Sequence, residues 1–392
     1  MGPDRILIAG GGIGGLAAAL ALAQKGVSSL VLEKAHRLGE IGAGIQLGPN
    51  AFHCFDRLGV GEAARGMAVY IDQLRLMDAV ADGEICHIDL KDRFRARFNN
   101  PYAVVHRGDL HGVLLKGCRD HPLIDLRTSA EVTGYDQDGS SVSAKLANGE
   151  TVKGGALIGA DGLWSHVRSQ VANDGPPRVS GHTTYRSVIP TELMPEDLRW
   201  NAATLWAGPK CHIVHYPLSG WKVFNLVVTY HNHAPEPVAG KAVSDEEVRR
   251  GFTHVCERAQ AIIRHGKDWH MWVLCDRDPI DKWVDGRVAL LGDAAHPMMQ
   301  YMAQGACMAM EDAVCLADAL GKAGSLEAGL ADYHARRVLR TARVQLMSRA
   351  MGDHVYHPDG PHAALRNSLM GAKSQDQWLD TLQWLYGGNG LD

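Results

Sequence analysis

The residues with the clearest chemical potential are three glycines near the start of the chain, Gly10, Gly12 and Gly15, in the pattern G-x-G-x-x-G. They follow an apolar run, residues 6–9, and precede an alanine-rich segment, which predict a strand and a helix. Gly10 permits a tight turn, Gly12 lets backbone approach a pyrophosphate, and Gly15 lets the helix pack close to the strand. Glu33 ends the next apolar run and can accept hydrogen bonds from a ribose diol. The combination predicts dinucleotide binding; the alternative is a glycine-rich loop without a ligand.

Two further clusters of glycine and acidic residues each follow an apolar run much later in the chain. Asp161 lies in the first cluster, residues 159–168, and Asp293 lies in the second, residues 292–312. Because the carboxyl ends of parallel strands line one crevice of an open sheet, both clusters can meet the glycine turn around one ligand. For each aspartate the alternative is an ordinary residue of a turn or a helix cap.

A short segment that carries two histidines, residues 211–216, is predicted to be a strand. Since neighbouring side chains of a strand point to opposite faces, His212 and Tyr216 share one face and His215 lies on the other. This alternation argues against a metal site at Cys211, His212 and His215, and we expect no metal. An unperturbed histidine has a pKa of about 6.5 and can act as a general base. The alternative for His212 is a structural histidine.

These residues need a sheet that is assembled from distant parts of the chain. Residues 5–9 and 29–33 predict parallel strands around a helix at 16–25, and residues 155–160 and 287–291 supply further strands. The intervening segments alternate polar and apolar residues, which predicts a β-rich insertion. We therefore predict a discontinuous nucleotide-binding domain at 1–72, 101–180 and 281–340, an inserted β-sheet domain at 73–100 and 181–280, and a helical segment at 341–392.

Several local expectations concern the connecting segments. Residues 39–50 are too rich in glycine for regular structure, and a helix is expected from about 51 to 58. A second helix is expected at 106–116. All of 73–100 resembles strands, and residues 244–265 are expected to form one helix.

The composition is that of an ordinary globular protein of 392 residues, 46% hydrophobic and 21% charged. A net charge of −4 without a basic stripe gives no case for nucleic acid binding. The eight cysteines include no C-x-x-C pair, which indicates reduced thiols of a cytoplasmic protein and neither a disulfide framework nor a zinc site. No apolar run reaches the roughly 18 residues that a membrane span needs.

The three clusters resemble the G-x-G-x-x-G, D-G-x-x-S-x-x-R and G-D-A-x-H-P signatures of the single-component FAD-dependent aromatic hydroxylases. The resemblance covers nearly the whole chain. It implies an α/β fold like that of p-hydroxybenzoate hydroxylase, with a discontinuous Rossmann-like FAD-binding domain, an inserted β-rich substrate domain and a helical C-terminus. Four stretches resemble the members of the family that hydroxylate 3-hydroxybenzoate: residues 40–50, 100–107, 208–217 and 300–305.

The resemblance also implies which residues contact the cofactor. Four of them would hold the ADP half of FAD: Gly10, Gly12, Gly15 and Glu33. Arg107 matches the arginine that reaches the ribityl and phosphate region, although a solvated arginine at a helix start is the alternative. Asp161 belongs to the motif that is linked to FAD contact and pyridine-nucleotide use, and Asp293 matches the aspartate that holds the ribityl hydroxyls. The helix start at Gly305 and Ala306 is expected to direct N–H groups at the pyrimidine edge of the flavin.

On the substrate side, hydroxylation of a phenol is electrophilic, so removal of the phenolic proton makes the ring more reactive and a base is expected near the phenol. The resemblance favours His212 as this base and Gln300 as a hydrogen-bond partner of the substrate. It favours three further residues as substrate-binding: Tyr102, Tyr216 and Leu47.

The implied activity is para-hydroxylation of 3-hydroxybenzoate to 2,5-dihydroxybenzoate (gentisate), with NAD(P)H and O2 and through a flavin hydroperoxide. A second dinucleotide fingerprint is absent from the sequence, so nicotinamide binding is expected to be transient, with NADH favoured over NADPH. A homodimer is expected because relatives commonly form one. Salicylate 1-hydroxylase and 6-hydroxynicotinate 3-monooxygenase activities are close alternatives; an NAD-dependent dehydrogenase or a non-catalytic flavin-binding protein is a distant one.

Overall fold

The central sheet of the fold brings together strands from four distant parts of the chain. The computed structural model describes residues 5–39, 44–388 and 391. Its six-stranded sheet, called here the first sheet, has the spatial order Val284–Asp285, Val288–Leu290, Ala156–Gly159, Ile6–Ala9, Ser29–Leu32 and Ile124–Arg127. All neighbours pair in parallel except the first two strands. The prediction of a sheet assembled from distant segments is confirmed; the exact domain boundaries stay a prediction.

The helix Ile13–Ala23 packs directly on the first sheet because nearly all of its residues are small or apolar. It is covered in turn by the helices Gly305–Lys322 and Arg107–Arg119. Parallel strands that are buried under helices on their faces are near-continuous apolar runs, as in Ile6–Ala9 and Ala156–Gly159. This packing fixes the carboxyl ends of the strands, where the predicted glycine and aspartate turns lie.

A second, larger sheet has eight strands, and it is called here the large sheet. Its order is Ala239–Ala242, His270–Asp276, Arg178–Pro190, Val223–His231, Cys211–Leu218, Ala202–Gly208, Gln73–Asp78 and Glu84–Asp89. One face is packed under the helices Asp245–Arg250 and Glu257–His265 in an apolar core that includes Ile213 and Trp206. Because strand side chains alternate, the opposite face is free to line a site.

Two small sheets and the remaining helices complete the described part of the fold. The small sheets are antiparallel and consist of Val132–Gln137, Val142–Leu146 and Thr151–Gly154, and of Gly44–Leu47, Ala103–His106 and Val69–Tyr70. The further helices are Pro49–Arg57, Gly61–Met67, Asp92–Phe98, His166–Val171, Leu326–Met351, the π-helix Gly352–Tyr356, Gly360–Gly371 and Gln375–Tyr386. Short 3-10 turns lie at Thr191–Leu193, Glu196–Leu198, Gly292–Ala294 and Gln300–Met302.

The expectation that residues 39–50 lack regular structure is wrong for their second half. Gly44–Leu47 is a strand that pairs with Ala103–His106, and a helix starts directly afterwards at Pro49. Position 44 requires glycine because the backbone lies close to Tyr216, and a Cβ there would lie 2.6 Å from its ring. Residues 40–43, which carry part of the family resemblance, lie outside the described residues.

Two other local expectations are also wrong. Residues 92–98 of the supposed strand region form a helix, because Phe94 and Phe98 lie one turn apart and pack together against Tyr386. The segment 244–265 contains two helices instead of one. The chain bends at Gly251, where a Cβ would come within 2.4 Å of the ring of Tyr230.

No helix in the described ranges combines the length and the hydrophobicity that crossing a bilayer requires.

Candidate active site

A cavity of about 820 Å³ lies between the first sheet and the large sheet. The glycine turn, the turn that contains Asp161 and the turn that contains Asp293 all line it. These turns come from three strands whose carboxyl ends meet at one edge of the first sheet. The expected convergence of the three clusters on one site is therefore present in the structure.

The glycine turn is shaped by two close backbone contacts. Gly10 has a φ of +105°, and a Cβ on it would lie 2.3 Å from the carbonyl oxygen of Ala160. A Cβ on Gly15 would lie 1.9 Å from the carbonyl oxygen of Gly10, so Gly15 supports the turn from behind and does not line the cavity. Gly12 caps the helix Ile13–Ala23 without a side-chain hydrogen bond, which leaves backbone N–H groups available at the cavity.

Glu33 stands beside this turn at the end of its strand. Its Oε2 accepts a hydrogen bond of 2.6 Å from the backbone N–H of Gly11, and its Oε1 accepts one of 2.9 Å from that of Ala35. The carboxylate is thereby held at the wall of the cavity. This is the position at which an acid can accept hydrogen bonds from a ribose diol.

Asp161 has a structural role in addition to lining the cavity. Its Oδ1 accepts a hydrogen bond of 2.5 Å from the hydroxyl of Ser165, and its Oδ2 accepts one of 3.2 Å from the backbone N–H of Val167. Burial raises the pKa of Asp161, and these hydrogen bonds oppose the rise. Arg168, at the end of the same motif, donates to the carbonyls of Ala294 and Ala295 at 3.1 and 2.7 Å. The second motif therefore fixes the loop of the third.

The loop of Asp293 is held from its other side by a buried carboxylate, Asp312. One oxygen of Asp312 accepts from the backbone N–H of Gly292 at 3.0 Å and lies 2.5 Å from Nε2 of His296, while the other accepts from Arg337 at 2.7 Å. Burial alone would raise the pKa of Asp312, but His296 and Arg337 lower it to about 2. Asp293 itself is exposed to the cavity.

The helix Gly305–Lys322 begins at the cavity wall. Its N-cap residue, Gln304, makes no side-chain capping bond, and its first turn contains no acid. Gly305 and Ala306 line the cavity, and the nearest atom to a Cβ on Gly305 would be 3.8 Å away. An uncapped helix start carries a partial positive charge that stabilises a negative group placed against it.

The side chains of the strand Cys211–Leu218 alternate between its two faces as predicted from the sequence. His212, Val214 and Tyr216 line the cavity, whereas His215 is buried on the opposite face and accepts a hydrogen bond of 3.2 Å from Trp206. His212 is only 1% exposed. Burial lowers its pKa well below the ordinary value, and the neighbouring His357 and His182 lower it further. His212 is therefore neutral and has an unprotonated ring nitrogen.

Gln300 packs on the face of the large sheet that carries His212. Its amide nitrogen donates to the hydroxyls of Thr184 and Thr229 at 3.1 and 3.3 Å. Thr229 pairs with His212 on one side and with Thr184 on the other, so these three side chains share one face. The carbonyl oxygen of Gln300 accepts a hydrogen bond of 3.3 Å from Arg186.

Of the remaining residues predicted to bind substrate, two line the cavity and one does not. Tyr102 and Tyr216 line it, and the hydroxyl of Tyr102 donates to Gln46 at 2.8 Å. Leu47 is fully buried in the core of the first sheet and is not among the cavity-lining residues, whereas the preceding Gln46 is.

Arg107, which was predicted to contact the cofactor, lies at the first turn of its helix and lines the cavity.

Arg186, which was not predicted from the sequence, is half-buried on the cavity face of the large sheet. Its Nε is inaccessible to solvent and has no hydrogen-bond partner, and among the described residues no carboxylate forms an ion pair with it. Burial lowers the pKa of Arg186, and the nearby charge of Arg107 lowers it further. A partial signal was available, because Thr184 and Arg186 are polar residues two apart and therefore lie on one face of the strand Arg178–Pro190.

His357 was also missed. Its Nε2 lies 2.7 Å from Nδ1 of His212, although 145 positions separate the two residues. Nothing in the local pattern around His357 indicates this contact, because it depends on where the C-terminal helices pack.

The comparisons with known proteins identify the family. A family model described as "FAD binding domain" matches residues 4–348. The chain belongs to this family. It is 56% identical over 384 residues to 3-hydroxybenzoate 6-hydroxylase 1 of Aquipseudomonas alcaligenes, with 98% of each chain covered. It is 49% identical over 385 residues to 3-hydroxybenzoate 6-hydroxylase of Polaromonas naphthalenivorans (strain CJ2), covering 98% of this chain and 96% of the relative.

A solved structure supports the same family and fold. The structure of Klebsiella pneumoniae HpxO complexed with FAD and uric acid superposes with a TM-score of 0.86 at 25% identity, covering 98% of each chain. The predicted family and fold class are confirmed, and the protein is an FAD-dependent monooxygenase.

The polar groups that line the cavity match the chemical groups of FAD. Uncapped N–H groups at Gly12 suit a pyrophosphate, and the carboxylate of Glu33 suits the adjoining ribose. Asp293 suits the polyol that joins the two halves of FAD, and the helix start at Gly305 suits an electron-rich ring edge. All four line one continuous cavity.

Proposed function

We propose that this protein uses NAD(P)H and O2 to hydroxylate 3-hydroxybenzoate para to its phenol, giving 2,5-dihydroxybenzoate. The observation that carries the proposal is the pair of polar groups on one face of the large sheet, the guanidinium of Arg186 and the neutral ring of His212. An aromatic acid that also has a phenol matches this pair, because guanidinium binds carboxylate and a neutral imidazole accepts a phenolic proton. The names of relatives at 56% and 49% identity support the same substrate.

The register of the large sheet leaves enough space for one aromatic ring between Arg186 and His212. Arg186 pairs across the sheet with Val227, and Val227 pairs with Val214, the residue two positions after His212. Arg186 and His212 are thus two strands across and two residues along the sheet from each other, about 12 Å at the backbone. Two of the side chains on this face between them, Val214 and Val227, are apolar, line the cavity and suit a benzene ring.

In this proposal Arg186 binds the substrate carboxylate, which the sequence had left without a partner. Gln300 accepts from Arg186 and is anchored on Thr184 and Thr229, so it holds the guanidinium in place at the floor of the pocket. His212 uses Nε2 for the phenol, since its Nδ1 already contacts His357. Tyr102 and Tyr216 wall the ring and exclude water.

When bound, FAD supplies the reducing and oxygen-transferring chemistry. The chain contributes the orientation of the ring, the exclusion of water and the removal of the phenolic proton to His212. Transfer of that proton raises the electron density at the carbon para to the oxygen, which favours attack at that position. General-base assistance of this kind contributes about 10²- to 10⁴-fold in rate.

The test is product identification with the purified holoprotein under air. Separate reactions contain NADH and 3-hydroxybenzoate, salicylate or 6-hydroxynicotinate, and the products are separated by liquid chromatography. We expect 2,5-dihydroxybenzoate from 3-hydroxybenzoate, in amounts close to the NADH consumed. Coupled turnover of salicylate or 6-hydroxynicotinate without 2,5-dihydroxybenzoate formation would overturn the choice of substrate.

Three finer proposals accompany this one. We propose NADH as the reductant, which paired assays with NADH and NADPH test, and a homodimer, which light scattering of the holoprotein tests. We also propose a cytoplasmic location. All eight cysteines lie in the described residues and are unpaired, which suits a reducing compartment.

A further inference from the structure

The two ring nitrogens of His212 have different surroundings. Nδ1 lies 2.7 Å from Nε2 of His357, and the two rings have centroids 5.0 Å apart and are inclined by only 24°. His212 lines the cavity and is almost inaccessible to solvent, whereas His357 is half-buried. The pair therefore bridges the interior of the cavity and the outer part of the protein.

More imidazoles continue beyond this pair toward the surface. The ring of His182 contacts that of His357 at 5.1 Å and that of His231 at 4.3 Å, and His231 contacts the exposed His233 at 4.5 Å. The hydroxyl of Tyr301 lies 2.5 Å from Nδ1 of His182. The charged groups that face this cluster from neighbouring elements are Arg178, Asp276, Lys210 and Asp353.

A lone base at His212 would be a poor acceptor for a substrate proton. Burial and the adjoining rings of His357 and His182 oppose a positive charge on its ring, so a proton taken up there must move on for the phenolate to persist. A hydrogen-bonded imidazole that reaches toward solvent gives the proton somewhere to go. The contact between Nδ1 of His212 and Nε2 of His357 has the length of a proton-transferring hydrogen bond.

We propose that His357 is the second member of a proton relay that carries the phenolic proton from His212 to solvent. This inference rests on the proposed function. The phenolic O–H bond breaks, its electron pair stays on the oxygen, and its proton bonds to Nε2 of His212. The proton on Nδ1 of His212 passes to Nε2 of His357, and the proton on Nδ1 of His357 passes to water. The reverse sequence returns a proton to the product oxygen and restores both tautomers.

His357 acts through His212 and contacts no substrate, so its test needs a readout beyond loss of activity. The variant is His357→Gln, whose amide keeps a hydrogen-bonding group near Nδ1 of His212 but cannot relay a proton. The matched control is His354→Gln: His354 is exposed in the preceding π-helix, contacts His362 and does not line the cavity. Absorbance of bound FAD and the melting temperature check folding of both variants.

The experiment follows proton release on mixing oxidised holoprotein with 3-hydroxybenzoate, without NADH, in weak buffer with a pH indicator dye. We expect His357→Gln to bind with a Kd within about threefold of wild type and to release its proton about 100-fold more slowly, the scale of a lost proton-transfer group. Added imidazole should restore the rate in His357→Gln and leave His354→Gln unaffected. Wild-type proton release in His357→Gln, or slow release that imidazole does not rescue, overturns the relay.

A measurement on the unmodified protein covers the case in which His357→Gln does not fold. The rate of proton release is followed in mixtures of H2O and D2O. Concerted movement of two or more protons along the relay gives a curved dependence on the deuterium fraction, whereas a linear dependence, which a single transferred proton produces, overturns the relay. Failure of the proposed function looks different, because wild type would then release no proton with 3-hydroxybenzoate and would form no 2,5-dihydroxybenzoate.

Discussion

Replacement of Arg186 by methionine should weaken substrate binding without lowering the stability of the fold. Arg186→Met keeps the volume and the apolar stem but removes the group proposed to bind the carboxylate. Truncating one partner of a buried, hydrogen-bonded charge pair costs about 2–5 kcal/mol of binding. Arg186 is only half-buried, so the lower part of this range applies, and about 2–3 kcal/mol corresponds to a roughly 30- to 150-fold higher Kd.

The same change should not destabilise the free protein. The guanidinium makes one hydrogen bond of 3.3 Å, its Nε has no partner, and burial lowers its pKa. Replacing a poorly paired charge by an apolar side chain of similar volume is often neutral or stabilising. We therefore expect an unchanged or higher melting temperature together with weaker binding, a combination that a general folding defect does not produce.

The assay is titration of the oxidised holoprotein with 3-hydroxybenzoate and with 3-hydroxybenzyl alcohol, which lacks the carboxylate. Arg186→Met should weaken binding of the acid and leave that of the alcohol within about twofold, since no charge pair is lost with the alcohol. The control is Arg178→Met on the same strand, whose ion pair with Asp276 lies outside the cavity. Equal losses for acid and alcohol, or an unchanged Kd for the acid, would refute the role of Arg186.

Three further predictions follow from the geometry of the site. His212→Ala should retain FAD and lose about 10²- to 10⁴-fold in hydroxylation rate, measured by single-turnover product formation across pH; an unchanged pH profile would exclude His212 as the base. Gly10→Ala should lower the FAD content of the purified protein, because its Cβ would lie 2.3 Å from a carbonyl oxygen, whereas Gly139→Ala, with a positive φ but open space, should not; equal FAD loss in both would contradict the clash. Asp312 has a pKa lowered to about 2, so its stabilising effect is present above its unfolded pKa of about 4 and is lost as pH falls from 4 to 2. Unfolding of Asp312→Asn should lack this part of the acid dependence, and an unchanged dependence would show that other groups cause it.

The sequence was sufficient wherever the local pattern decides the structure. The turn at Gly10 and the placement of Glu33 follow from motifs whose backbone geometry depends on near neighbours. The strand at 211–218 placed His212 and Tyr216 on one face, because alternation is a local property of strands. These predictions needed no knowledge of which elements pack together.

The remaining features depend on long-range packing. The strand Gly44–Leu47 exists because it pairs with Ala103–His106 and approaches Tyr216, and Leu47 consequently lies in the core instead of the cavity. His357 reaches His212 only once the C-terminal helices are docked. Arg186 was visible as a charged residue inside a strand of mixed polarity, but the absence of a hydrogen-bond partner for its Nε is known only from the structure.

Oxygen labelling tests directly whether the protein inserts an atom of O2 into 3-hydroxybenzoate. The holoprotein is given 3-hydroxybenzoate and NADH under ¹⁸O2, and the product is analysed by mass spectrometry. We expect 2,5-dihydroxybenzoate that carries one ¹⁸O atom, at the carbon para to the original phenol. Absence of this product, or a product whose new oxygen comes from water, would contradict the proposed function.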